Sequence, residues 1–120
     1  MLRATDCLVV ARDPYLSADL AVSLEDLFKG IRVVVTASVD EAQQMVPSLP
    51  RIGLAVLDAA LDCAERAALA AELSAQGAMI AVVGSLQPAN CGEVEDGIRR
   101  FFFNDELLAW LATLVQPPQG

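Results

Sequence analysis

The chain has 120 residues, 55% of them hydrophobic, which is the size and apolar content of one layered domain with no room for a second. Its formal net charge is -8 and it has no histidine, so its own field opposes a phosphate-tracking nucleic-acid surface, and Ser-His-Asp and Cys-His catalysis are excluded. The apolar runs are short beside the roughly 20 residues of a spanning helix, so no membrane partner is expected either.

Cys7 to Ala11 (CLVVA) is an apolar run of strand length, closed by Arg12-Asp13 and by Pro14, a residue suited to open a helix. Leu16, Leu20, Leu24, Leu27 and Phe28 recur at helical spacing, with Gly30 where a C-cap glycine belongs. The β-branched run Ile31 to Val35 predicts a second strand, and Ser38 caps a second helix over Val39 to Val46, ended by Pro47 and Pro50. Leu54 to Leu57 predicts a third strand that stops at Asp58, followed by an Ala-rich helix over Ala64 to Ala75 and by Gly77. Met79 to Val83 is a fourth strand. Between Gly84 and Gly97 the turn formers Pro88, Asn90 and Gly92 leave space for only a short or irregular fourth helix around Glu93 to Asp96. Ile98 to Phe102 is a fifth strand, and Asn104 caps a last helix over Asp105 to Val115.

Strands that are apolar on both faces and alternate with helices predict an α/β fold, a doubly wound five-stranded parallel sheet with helices on both faces. The expected domain is 1–120, with its core at about 6–115 and a frayed tail at 116–120. Ligand chemistry in such folds gathers at the carboxyl ends of the strands. Arg12, Asp13, Asp58, Gly84 and Ser85 fall there. The odd, scattered cysteines Cys7, Cys63 and Cys91 read as reduced structural thiols, and no export signal is expected at Met1 to Thr5, so the expected compartment is the cytoplasm.

From Leu8 to Leu114 the chain resembles response-regulator receiver domains, whose fold is flavodoxin-like. The matching stretches are LVVARDPYL, LAVLDAAL around Asp58, and FFFNDELLAWL. The resemblance implies that Asp58 stands at the phosphoacceptor position, and it implies partners: a histidine kinase or another two-component signalling protein. Other landmarks depart from the family. Its magnesium-binding acidic pair appears as Ala11 and Arg12, with Asp13 one position further on. Its hydroxyl residue at the end of strand four is Val83, ahead of Gly84, and its lysine is Arg100, followed by Phe101. Asp62 replaces a proline, and Gly97 stands where an aromatic switch residue is usual.

Asp13 and Asp58 are balanced here by Arg12 and Arg100, so the site needs no metal for charge, and an arginine fork onto Asp58 is expected. The expected function is therefore an atypical, pseudo-receiver-like interaction module, not an enzyme, that lacks the Mg-binding pair and is not efficiently phosphorylated. No cofactor is expected. The alternative is a working receiver phosphorylated on Asp58 in a phosphorelay, with Mg²⁺ held by Asp13 and Asp58. A flavodoxin-like cofactor protein would need a Ser-, Thr- and Gly-rich loop after strand one, where this chain has ARDPY. Phe101, Phe102 and Phe103 cannot all face one side of a strand, which makes them interface candidates. The resemblance implies a partner or homodimer surface on the face of the fourth helix, fifth strand and last helix.

Overall fold

A computed structural model of the chain describes residues 6–28, 31–49, 52–58, 61–83, 98–101 and 104–115. The elements in chain order are β1 (Asp6–Val10), α1 (Pro14–Leu27), β2 (Arg32–Thr36), α2 (Val39–Met45), β3 (Ile52–Asp58), α3 (Cys63–Ala75), β4 (Met79–Val83), β5 (Ile98–Phe101) and α4 (Asn104–Val115). A 3-10 turn at Val46–Ser48 follows α2, drawn tight by Pro47. The strands form one parallel sheet in the order β2-β1-β3-β4-β5. Strand order reverses between β1 and β3, so the carboxyl ends of these two central strands flank the crevice at the switch point.

Alternation along the buried strands splits the core into two layers. Leu8, Val10, Ala55, Leu57, Ile80 and Val82 face α2 and α3, where Ala42, Leu69 and Leu73 cover them. Cys7, Val9, Leu54, Val56, Ala81 and Val83 face α1 and α4, where Leu20, Leu24, Leu107 and Leu111 cover them. Burial pushes the Cys7 thiol up to about 12, which leaves it protonated and inert. Cys63 opens α3, and Cys91 lies outside the described residues.

Local chemistry sets most of the boundaries. The first helix begins at Pro14, the residue suited to open it, and Asp13 caps it by accepting a 2.9 Å hydrogen bond from the Tyr15 amide. Ser38 caps α2 as expected: Oγ accepts from the Glu41 amide at 3.1 Å, while Glu41 Oε1 reaches back to the Ala37 amide at 2.7 Å. Helix α3 closes with a Schellman motif, Gly77 N–H to Ser74 carbonyl and Ala78 N–H to Leu73 carbonyl. Gly77 sits at φ +94 there, a conformation that a side chain would strain.

Several boundaries differ from the sequence reading by one or two residues. Strand β2 runs Arg32–Thr36 instead of Ile31–Val35, because Ile31 closes a turn by donating to the Phe28 carbonyl. Strand β3 starts at Ile52, not Leu54, and a register shift between Asp6 and Cys7 admits the extra residue Gly53. Asn104 is already helical in α4. The expected fourth helix around Glu93 to Asp96 lies outside the described residues, as do Phe102, Phe103 and the tail 116–120.

Candidate functional site at the carboxyl ends of β1 and β3

Asp58 ends β3 as a buried residue, at 7% exposure. A buried carboxylate needs donors, and one of them is the main-chain amide of Arg12, 3.2 Å from Oδ2. The Asp58 carbonyl accepts from the Leu61 amide at 3.1 Å. Two residues of the β1–α1 loop thus have separate duties. Ala11 is buried and its amide ties the loop to the Thr36 carbonyl at 3.1 Å, while Arg12 directs its N–H at Asp58.

Arg12 is an exposed residue, and the hydrogen bond it gives Asp58 comes from its main-chain amide and not from the expected side-chain fork. The reason is steric economy. A backbone amide reaches a neighbouring strand end without folding back a long side chain. Asp13, the second expected carboxylate, is committed to the Tyr15 amide at the start of α1. Among the described residues no three His, Cys, Asp or Glu side chains gather where they could share a metal ion. The donors present do not fit a receiver-type magnesium site: Ala11 offers a methyl group, Arg12 a cation, and Asp13 an oxygen already used as a helix cap.

The row of residues across the sheet at the level of Asp58 is apolar. Asp58 pairs with Val83 on β4, and Val83 pairs with Phe101 on β5. Val83 is buried and Phe101 stands against Trp110, ring centroids 5.5 Å apart, within the α1/α4 layer. Arg100 is at the adjacent register position, paired with Val82. Gly84 and Ser85 lie outside the described residues.

Three participants, Arg66, Asp6 and Arg32, were not singled out by the sequence reading, and Asp62 was noted there only as replacing a proline. Asp62 caps α3, accepting from the Glu65 amide at 3.1 Å. Arg66 is 94% buried from water in the sense that only 6% of it is exposed, and its guanidinium reaches the Leu61 carbonyl at 3.4 Å. Arg66, Leu69, Ala70 and Leu73 share one helical stripe, and that spacing is the signal that marks Arg66 as inward. At the opposite end of the sheet, buried Asp6 pairs with Arg32 at 2.9 Å, and Asp6 Oδ2 has no hydrogen-bond partner among the described residues.

No protein-family model matches the sequence, and no curated protein matches it significantly. Solved structures do match. A response-regulator receiver domain protein from Bacillus halodurans superposes with a TM-score of 0.70 at 15% identity, over 97% of this chain and 100% of that one. A CheY-like receiver domain from Methylobacillus flagellatus gives 0.70 at 17% identity, over 95% and 98%. A chain in the complex of the phosphorylated P1 domain of CheA3 with CheY6, from R. sphaeroides, gives 0.59 at 19% identity, over 92% and 95%. The chain has the fold of the CheY-like response-regulator receiver domains.

Proposed function

We propose that this protein is a two-component signalling module of atypical receiver type, acting by binding a partner and not by catalysis, and not efficiently phosphorylated on Asp58. The observation that carries the proposal is the environment of the Asp58 carboxylate. It receives a main-chain amide from Arg12 and shares its sheet row with Val83 and Phe101. Phosphoryl transfer depends on cations and donors that neutralise the equatorial oxygens of the transferred group. Among the described residues beside Asp58, Ala11 supplies a methyl group, Val83 an apolar side chain and Arg12 a main-chain amide, while Asp13 is engaged in capping α1.

The partner is a histidine kinase or another two-component protein; the R. sphaeroides neighbour is itself a complex of CheY6 with a phosphorylated P1 domain. Phe101, packed against Trp110, belongs to the β5–α4 side through which such a partner would be engaged. The test is phosphoryl labelling by acetyl phosphate or a kinase, with Mg²⁺ present, of the wild type and Asp58→Ala. Equal, negligible labelling of both is expected. Strong labelling that disappears in Asp58→Ala would establish a working phosphorelay receiver instead.

A further inference from the structure

Strand β2 is one edge of the sheet, and no described segment pairs with its outer side. Its pairing with β1 fixes which main-chain groups point outward. The Ala11 amide bonds the Thr36 carbonyl, so Thr36, Val34 and Arg32 direct their N–H and C=O groups to β1. Val33 and Val35 therefore direct theirs to the open edge. The neighbouring outward donors are already used: the Ile31 amide by the Phe28 carbonyl and the Ala37 amide by Glu41. The edge presents three consecutive valines, with Val35 at 43% exposure, and its only charged residue is Arg32 at one end. Such a flat β-branched edge lacks the central charge, proline or bulge that usually blocks pairing.

We infer that this edge is a self-association surface, on which a second copy of the chain adds its own β2 in antiparallel register about a two-fold axis through Val34. The register follows from the open groups. Setting Val33 of one copy opposite Val35 of the other brings outward-facing residues together as hydrogen-bonded pairs, and the two-fold repeats the exchange. Val34 then faces Val34 on the α2/α3 side, and each exposed Val35 is covered by a Val33. Charge favours the same arrangement. Arg32, its side chain 59% exposed beyond its contact with Asp6, falls opposite Thr36 and next to the acidic first turn of the other copy's α2, where Asp40 and Glu41 stand. A parallel alignment would instead bring the two Arg32 side chains together. Five residues a side is well below the roughly 20 to 30 of a standard interface, so the dimer is weak and appears at high protein concentration.

The experiment is sedimentation equilibrium over a concentration series, with site-directed disulfide trapping in a Cys63→Ser, Cys91→Ser background. Val34→Cys places thiols opposite each other with Cα atoms about 4.5 Å apart, within disulfide reach, and should form an intermolecular disulfide about tenfold faster than Val35→Cys, whose opposite residue is Val33. Val35→Lys should raise the dimer dissociation constant about tenfold or more while leaving the far-UV spectrum unchanged. A monomer at every concentration, equal trapping at positions 34 and 35, or a dimer indifferent to Val35→Lys overturns the inference.

Discussion

The polar residues around Asp58 work mainly by holding main-chain groups, and their energies are those of caps. Asp62 stands where receivers place a proline, and its carboxylate takes the Glu65 amide at the start of α3. Replacing it with Ala should cost about 1 kcal/mol in urea unfolding, and Asp62→Ser should restore most of that loss. Cys7 makes a prediction about pH. Its thiol is raised from 9.0 to about 12 by burial, so above pH 9 the unfolded chain releases a proton that the folded chain retains. That contribution to stability is intact below pH 9 and declines as pH rises towards 12. Urea titrations at pH 8 and pH 10.5 should therefore show a larger loss for the wild type than for Cys7→Ala. An identical pH dependence in the two proteins would mean that the thiol titrates normally. Asp58 was legible in the sequence because an acidic residue that closes an apolar run stands out. The contribution of Arg12 was not, because it comes from an amide that every residue except proline carries.

Elements were readable where period and punctuation agreed. Strand β4 matches its expected limits, and α3 ends on the glycine that its Schellman turn requires. Reading failed where tertiary pairing decides. The register shift that lengthens β3 to Ile52 depends on β1, and no local pattern in RIGLAV announces it. Helix α3 illustrates an intermediate case. Its buried stripe begins with Arg66, whose guanidinium reaches the Leu61 carbonyl. Arg66→Met would keep the packing of the stem and remove the donors. The expected result is faster hydrogen exchange at the Leu61 and Asp62 amides with a smaller change in the middle of α3; uniform acceleration along the helix would assign Arg66 to general packing.

At the scale of the molecule, the sheet divides the core into two apolar layers that share a backbone but not side chains. Ile80 belongs to the α2/α3 layer and Leu24 to the α1/α4 layer. The continuous apolar runs of the strands made a two-sided sheet legible, since a strand buried on one face only would carry polar residues at every second position. Strand order was not legible, because sequence does not state which strands touch, and the right-handedness of crossovers constrains the winding without fixing the order. The two layers also make a quantitative claim. Ile80→Val should cost about 0.5 to 1.5 kcal/mol and Leu24→Ala about 2 to 5 kcal/mol. The sheet stands between these positions and they have no common partner in either layer, so the double variant should lose the sum of the two within about 0.5 kcal/mol. Urea unfolding of the set measures this directly. A coupling well above that limit would mean that the strands transmit side-chain repacking from one face to the other. The Asp58 carboxylate, on the α1/α4 side of β3, would then respond to changes made under α2 and α3.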